Sequence, residues 1–272
     1  MLYRLYNPPP PLSAFVGCIW YSQGLQGTHA RERLLPNGEA AIVFDLREEP
    51  VCIYDAQDAA KFEMHAPAIF CGARTDCFVI DTSRQERVIG IQFRPGGARP
   101  FLTMPADEVA EGTYSLEDVW PRSAVEVRER LLGAASVEAM FGILERALLT
   151  QMDLSLSLHP AVAYATGRLA RPAENLRVSD VAERTGLSMR RLGDLFRMQT
   201  GLSPKAFHQV RRFQRVLQLL RREREADFAA LALGCGFYDQ AHFVHEFRRF
   251  AGMTPGEYLR VATPHLNHVP LV

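Results

Sequence analysis

The stretch FRMQTGLSPKAF at residues 196–207 is repeated in similar form as FRRFAGMTPGEY at residues 247–258. Each copy has an aromatic residue in a predicted helix, then a glycine, then a Ser or Thr that is followed by proline. Glycine is favoured just after a helix, and proline is tolerated in the first helical turn. Each copy therefore predicts one helix that ends at its glycine and another that begins at its proline.

The repeat extends upstream of these two segments. RVSDVAERTG (177–186) and DFAALALGCG (227–236) each predict a short helix that ends at a glycine. Ser188 and Asp239 are then expected to cap the helix that follows. That helix carries inward-facing residues at equivalent positions in the two copies: Leu192 and Phe196, and Phe243 and Phe247.

Two helices joined by a tight turn form a helix-turn-helix motif, whose second helix enters the major groove of DNA. A single copy is only moderately specific, because many helical hairpins have a glycine at the corner. Here two copies flank a long amphipathic helix, SPKAFHQVRRFQRVLQLLRR at 203–222. The sequence therefore predicts two motifs whose second helices are held apart by one helix.

The charges of the chain are unevenly divided, although the net charge is zero. Residues 1–156 contain 14 Lys and Arg against 21 Asp and Glu, whereas residues 157–272 contain 17 against 10. A basic domain joined to an acidic one favours a polyanionic partner for the basic half, most simply nucleic acid. Chance unevenness is the alternative interpretation.

The length of 272 residues predicts two domains. The five cysteines are scattered, and the first thirty residues lack a secretory pattern, which predicts a cytoplasmic location. No segment approaches the roughly 18 to 20 apolar residues that a membrane span needs, so no membrane role is expected.

The first half is predicted to be rich in β-strands, with six to eight strands separated by turn residues. The clearest strand segments are FVGCIWYSQG (15–24), AAIVFDL (40–46), PVCIYDA (50–56), CFVIDT (77–82) and RVIGIQFRPGG (87–97). Such strands favour a cupin-like barrel or a sandwich. Its core is expected to contain Met64, Phe70, Phe78 and Phe93.

The predicted fold class is α+β, with a β-rich domain, a helical segment and an all-α domain. Residues 1–120 are assigned to a β-rich effector-sensing domain and residues 158–272 to the double helix-turn-helix domain. Between them, residues 121–157 are assigned to a helical dimerisation or linker segment. In that segment, apolar residues recur at helical spacing: Val125, Leu131, Leu132, Met140, Ile143, Leu144, Ala147 and Leu148.

Residues 158–261 resemble the two-motif DNA-binding domain of the AraC/XylS transcriptional regulators. The resemblance is carried by RVSDVAERTGLSMRRLGDLFRMQTGLSP and, most densely, by GFYDQAHFVHEFRRFAGMTP. In the first half, LPNGEAAIVFDL (35–46) and FRPGGARPFL (93–102) resemble the amino-terminal part of one AraC-like subgroup. The resemblance implies a one-component regulator with an effector-binding or dimerisation domain, and it makes double-stranded DNA the expected partner. RNA polymerase, a small-molecule effector and a second copy of the chain are further candidate partners, and no cofactor is expected.

Helix geometry predicts which residues face DNA, once the inward-facing residues of each second helix are assigned. The first set is Arg190, Arg191, Gly193, Asp194 and Arg197, and the second is Gln240, Ala241, His242, Val244, His245 and Arg248. These coincide with positions through which AraC-like proteins read bases. Arg190 is suited to a bidentate contact with guanine, with a phosphate-facing or solvent-facing arginine as the alternative. Gly193 and Asp194 depart from the family pattern, which leaves the base preference of that motif open.

Other residues of the second half are expected to contact phosphates, either at helix amino termini or along the long helix. They are Ser179, Ser203, Lys205, Arg211, Arg212 and Thr254. Some of the arginines on the long helix are expected only to face solvent.

In the first half, four polar residues beside apolar runs are candidates to orient an effector, with surface salt bridges as the alternative: Glu39, Asp45, Arg74 and Arg94. Cys71, Cys77 and His65 lack the spacing of a zinc site, so no metal is predicted. A cupin-like enzyme fused to a DNA-binding tail is the rival hypothesis, but residues 1–120 contain only two histidines. A helical protein-interaction module is a third hypothesis. No enzymatic activity is predicted.

Overall fold

The fold is described by a computed structural model over residues 2–24, 30–47, 49–58, 60–82, 86–171, 177–222, 227–263 and 265–271. Strands dominate the first part of the chain and helices the second, so the predicted α+β class is confirmed. The segment RPAENL (171–176), whose sequence predicts a break between two helices, lies outside the described residues apart from Arg171.

Two antiparallel sheets contain all the strands of the described residues. The strands are β1 (Leu2–Tyr6), β2 (Val16–Gln23), β3 (Arg31–Leu34), β4 (Ala41–Asp45), β5 (Val51–Tyr54), β6 (Phe62–His65), β7 (Ala68–Cys71), β8 (Phe78–Asp81), β9 (Arg87–Phe93), β10 (Thr113–Ser115) and β11 (His268–Leu271). The first sheet has the order β1-β2-β9-β4-β7-β10 and the second the order β11-β3-β8-β5-β6. Over the ranges given above, the sheets do not close on themselves, so of the two predicted alternatives the barrel is wrong, and the β-rich character is confirmed.

The first sheet buries both of its faces because apolar residues stand at successive positions of its central strands. Ile42 and Phe44 of β4 belong to the main core, while Val43 between them packs into a smaller core. Successive side chains of a strand point to opposite faces, so this sheet separates two cores. The smaller core also takes Ile53 and Ile80 from the second sheet, and it therefore joins the two sheets.

The main core is covered by three helices: α1 (Leu116–Val119), α2 (Ala124–Leu132) and α3 (Val137–Gln151). Trp120 is fully buried where α1 ends, and its indole Nε1 donates to the carbonyl oxygen of Phe101 at 2.8 Å. The helices α2 and α3 lie in the segment 121–157 that the sequence predicts to be helical. Val125 and Leu132 are exposed, however, because α2 presents Ala124, Val127 and Leu131 to the core instead.

The second part of the chain forms seven helices within the described residues: α4 (Pro160–Leu169), α5 (Val178–Thr185), α6 (Met189–Thr200), α7 (Pro204–Arg222), α8 (Phe228–Gly234), α9 (Gln240–Ala251) and α10 (Pro255–Val261). They enclose two separate cores, one for each predicted motif. The long helix α7 contributes Phe207 to the first core and Phe213 to the second. A single continuous helix therefore carries both motifs.

The end of the described chain returns to the β-rich domain. Strand β11 pairs antiparallel with β3, and His268 Nδ1 lies 2.7 Å from Glu32 Oε2. The sequence predicts only helical structure beyond residue 157, so this strand is an addition. Its pairing ties the carboxy-terminal part of the chain to the second sheet.

Candidate nucleic-acid interface

The second helix of the first motif is α6. It begins where the Ser188 side chain accepts a hydrogen bond from the Arg191 amide at 3.2 Å, and it ends at Gly201, whose φ is 86°. Within α6, the side chains of Leu192 and Phe196 are fully buried. The predicted DNA-facing residues Arg190, Arg191, Asp194 and Arg197 are exposed, and Gly193 is half-buried.

The second helix of the second motif is α9, and it is built in the same way. Asp239 Oδ1 accepts from the His242 amide at 2.7 Å, and the helix ends at Gly252 with a φ of 66°. Of the predicted DNA-facing residues, Gln240, Ala241, His245 and Arg248 are exposed, whereas His242 and Val244 are half-buried.

His242 has a role inside the turn that the sequence does not indicate. Its Nδ1 lies 3.3 Å from the amide nitrogen of Tyr238, which donates to it, and its ring meets the ring of Phe237 edge-on at 5.6 Å. The imidazole therefore stabilises the turn between α8 and α9. Because Nδ1 is used in this turn, only the exposed part of the ring is free to contact DNA.

Four of the five exposed arginines on the two helices are available for an external partner, whereas Arg249 pairs with Glu246 at 3.3 Å. Across the described part of the chain, the guanidinium groups of Arg190, Arg191, Arg197 and Arg248 have neither a hydrogen bond nor an ion pair. A guanidinium without a protein partner can bind a base edge or a phosphate without first breaking a contact. The outward faces of α6 and α9 thus each expose basic side chains, and we call these two faces together the recognition surface.

The residues predicted at phosphates occupy several kinds of position. Ser203 and Thr254 cap α7 and α10, with their hydroxyl oxygens accepting from the amides of Ala206 at 3.2 Å and Glu257 at 3.3 Å. Lys205 is exposed in the first turn of α7. Ser179 is exposed in α5, but that helix begins at Val178, so Ser179 is not its cap.

Arg211 and Arg212 are engaged within the protein, so their predicted phosphate contacts do not fit this arrangement. Arg211 Nη1 lies 3.1 Å from Glu39 Oε1, in the β-rich domain. Arg212 donates to the Gly236 carbonyl oxygen at 3.1 Å, and its guanidinium lies 4.2 Å from the centre of the Phe237 ring. Arg212 packs inside the second motif, while Arg211 joins the two domains.

The four predicted effector residues do not form one site. Glu39 and Arg94 lie near each other, and burial raises the pKa of Glu39, although Arg211, Arg94 and the amide of Gln92 act to lower it. Asp45 pairs instead with Arg47 at 3.0 Å, which fits the salt-bridge alternative. Arg74 lies elsewhere, with its guanidinium 4.2 Å from the centre of the Phe78 ring.

A small cavity lies where the β-rich domain meets α6. Arg94 lines it from one side, and Gln199 and Thr200 of α6 line it from the other. Of the predicted effector residues, only Arg94 lines this cavity.

The ranges that the structure covers contain neither a cluster of possible metal ligands nor a helix able to span a membrane. There, His, Cys, Asp and Glu side chains form no group of three or more that could hold a metal ion. None of the helices in those ranges combines the length and the apolar character that crossing a bilayer requires.

Both halves of the chain are similar to known protein families. A helix-turn-helix family model matches residues 181–261, and a model described only as a domain of unknown function matches residues 4–115. The arabinose operon regulatory protein of Escherichia coli is 31% identical over 136 residues, which are 47% of this chain and 46% of that protein.

The Salmonella typhimurium arabinose operon regulatory protein is 27% identical over 184 residues, which are 62% of this chain and 64% of its own. The chain therefore spans between about half and two thirds of the length of these relatives. Among solved structures, ToxT from Vibrio cholerae aligns with 91% of this chain and 97% of its own at 12% identity and a TM-score of 0.47.

Proposed function

Because this chain belongs to the AraC family of transcriptional regulators, we propose that it binds specific sequences in double-stranded DNA and regulates transcription in response to an effector. The observation that carries the proposal is the recognition surface. Two capped helices each bury an apolar face and expose arginines. Within the described residues, the guanidinium groups of Arg190, Arg191 and Arg197 have neither a hydrogen bond nor an ion pair, and Arg248 has only an electrostatic interaction with the Glu257 carboxylate.

The proposal assigns the two helices to successive major grooves on one face of the duplex. A 19-residue helix such as α7 is about 28 Å long at 1.5 Å per residue, close to the roughly 34 Å of one DNA turn. The exposed side chains of α6 and α9 then contact base edges. Lys205 and the amino-terminal turns near Ser179, Ser203 and Thr254 contact phosphates.

The β-rich domain receives the effector in this proposal, and the contact between the two domains transmits the response. An effector can shift the protein only if it binds two arrangements of these domains with different affinities. A cytoplasmic location follows from a role on chromosomal DNA. RNA polymerase and a second copy of the chain remain partners predicted from the sequence.

The test is selection of duplexes from a random library by the full chain, followed by titration of a selected duplex at several salt concentrations. We expect the logarithm of the binding constant to fall linearly with the logarithm of salt, by about 0.9 for each phosphate contacted. The triple variant Arg190→Ala, Arg197→Ala, Arg248→Ala is expected to lose this binding. Arg122→Ala, which removes an exposed arginine from the helical segment that follows the β-rich domain, is the control.

A response that does not change with salt, or equal binding by the triple variant, contradicts the proposal. The first result favours a protein-interaction module, because an interface without phosphates releases no condensed counterions.

A further inference from the structure

The β-rich domain contacts the carboxy-terminal end of the first recognition helix, α6. The amide of Ala106 donates to the carbonyl oxygen of Met198 at 2.8 Å. At Gly201, the residue that ends the helix, an added Cβ would lie 3.2 Å from the carbonyl oxygen of Ala106. The last four carbonyls of a helix have no donor within the helix, so the other domain supplies one here.

The same domain contacts the carboxy-terminal end of the second recognition helix, α9. Arg33 of β3 donates from Nη1 to the carbonyl oxygen of Ala251 and from Nη2 to that of Ala56, each at 3.2 Å. An added Cβ at Gly252 would lie 3.1 Å from Cζ of Arg33. A cation at this position also interacts favourably with the negative end of the helix dipole.

The long helix between the two motifs is held by the loop that precedes β4. Arg211 contacts Glu39, and it donates to the carbonyl oxygen of Asn37 at 3.3 Å. Gln214 Nε2 donates to the carbonyl oxygen of Pro36 at 2.7 Å. One domain therefore contacts α6, α7 and α9, and it does so through residues that are not among the predicted DNA-facing positions.

The two motifs have separate cores, and each core includes at least one buried residue of the β-rich domain. Ala73 packs into the core of the first motif and Leu35 into that of the second. Because each motif is packed around its own residues, the relative placement of the two motifs depends on α7 and on this shared support.

We propose that the β-rich domain sets the distance between the two recognition helices by binding each at its carboxy-terminal end and by holding α7 between them, with Arg33 (at the end of α9) and Arg211 (on α7) as positioning residues. The inference rests on the proposed DNA-binding function, to which it adds the preferred spacing of the two half-sites. Two helices that enter successive grooves bind both only when their separation matches the spacing of the duplex.

The first experiment needs no DNA. Spin labels are attached to unnatural amino acids at positions 191 and 245, which are exposed on α6 and α9. The distance between the two labels is measured by pulsed electron paramagnetic resonance. We expect one narrow distribution in the otherwise unmodified chain and a broader or shifted one in the double variant Arg33→Gln, Arg211→Gln. An unchanged distribution in the double variant overturns the inference.

The matched control is Arg31→Gln. Arg31 lies on the same strand as Arg33, but its guanidinium lies over the ring of Tyr54 at 3.9 Å. Its distance distribution is expected to match that of the unmodified chain. If the double variant does not fold, Arg33→Lys is used in its place. One ammonium group cannot replace the forked guanidinium that joins the carbonyl oxygens of Ala251 and Ala56, so a broader or shifted distribution is again expected, and an unchanged one overturns the inference.

The second experiment uses a duplex selected by the unmodified full chain, in which one base pair is inserted between or removed from between the half-sites. We expect the unmodified chain to bind the altered duplexes at least about fivefold more weakly, since the duplex must be deformed to compensate. In the double variant this ratio is expected to shrink, while binding to a single half-site stays unchanged. A merely destabilised variant loses affinity for all duplexes alike, and an equal spacing preference overturns the inference.

The two experiments separate this inference from the proposed function. If the unmodified chain selects no duplex, the DNA-binding proposal fails, while the label distances still decide whether the β-rich domain positions the helices.

Discussion

Arg211 of α7 and Glu39 of the β-rich domain form an ion pair across the two domains, with Nη1 and Oε1 separated by 3.1 Å. The side chains keep only 23% and 20% of their exposure, so both charges are largely removed from water. Burial raises the pKa of Glu39 even though Arg211 and Arg94 are close. The ionised pair is therefore a contact whose desolvation cost is not fully offset.

The two members of this pair are predicted to respond differently to substitution. Glu39→Gln removes the buried charge and keeps the shape, so we expect the free energy of unfolding to change by less than about 1 kcal/mol. Arg211→Gln leaves the carboxylate of Glu39 without its strongest partner and is expected to cost about 1 to 3 kcal/mol. Urea unfolding of both variants at pH 7 measures the difference, and equal losses contradict this account.

The same pair predicts the pH dependence of stability. A carboxyl whose pKa is raised by folding holds its proton more tightly in the folded state, so its contribution is present at low pH and is lost as the pH rises through the raised value. Relative to Glu39→Gln, the unmodified chain is therefore expected to lose stability from about pH 4 upward. A difference between the two proteins that grows in the opposite direction contradicts the assignment.

The inward-facing residues of the recognition helices could be predicted from the sequence. Leu192, Phe196, Phe243 and Phe247 are all almost fully buried, as their spacing indicates. Helical periodicity is a local signal, and here it occurs twice, with a cap and a terminal glycine in each copy. The recognition surface follows from it in large part, because eight of the eleven positions predicted to face DNA are exposed, while Gly193, His242 and Val244 are half-buried.

The exposure of Met64 and the open edges of the sheets could not be predicted in this way. The sequence places Met64 in the core, and that prediction is wrong. Met64 is 67% exposed because β6 lies at the edge of the second sheet and presents most of its side chains to solvent. An apolar residue in a strand indicates a core only when the position of that strand in its sheet is known. Strand order depends on pairings between distant segments, on which local patterns carry no information.

The contacts of Arg33 and Arg211 were missed for the same reason. Their partners lie 218 and 172 residues away along the chain, at Ala251 and Glu39. An arginine in a strand or on a charged helix face is indistinguishable in sequence from one that is solvated. The sequence indicates only where the two helices end, through the glycines Gly201 and Gly252. It does not indicate which residues contact those helix ends.

Base reading and phosphate contact are predicted to have different effects on specificity. Arg190→Ala is expected to relax the preference at one base pair by about 1 to 3 kcal/mol, because a bidentate contact to one base is lost. Lys205→Ala is expected to weaken binding to all sequences alike and to reduce the salt slope by about one. Affinities for a selected duplex and its single-base variants test both, and uniform effects from both substitutions contradict the base-reading role of Arg190.

Capping of the second recognition helix is predicted to contribute to stability. Asp239→Ala removes the acceptor of the His242 amide and is expected to lower the free energy of unfolding by about 1 kcal/mol. Asp194→Ala is the matched control, since this aspartate is exposed on α6 and caps nothing, and it is expected to change stability by no more than about 0.5 kcal/mol. Thermal unfolding of both variants compares them, and equal shifts in the midpoint contradict the capping role.

Tyr258 is predicted to make stability fall at high pH. Its ring is buried, its hydroxyl donates to the carbonyl oxygen of Leu266 at 3.0 Å, and burial raises its pKa to about 12, although Arg221 acts to lower it. The unfolded chain releases this proton near pH 10 and the folded chain does not, so the free energy of unfolding falls as the pH rises above about 10. Tyr258→Phe is expected to reduce that slope, measured by urea unfolding between pH 9 and 11. Tyr238→Phe, at a side chain that is 86% exposed, is expected to leave it unchanged, and equal slopes in all three proteins contradict the assignment.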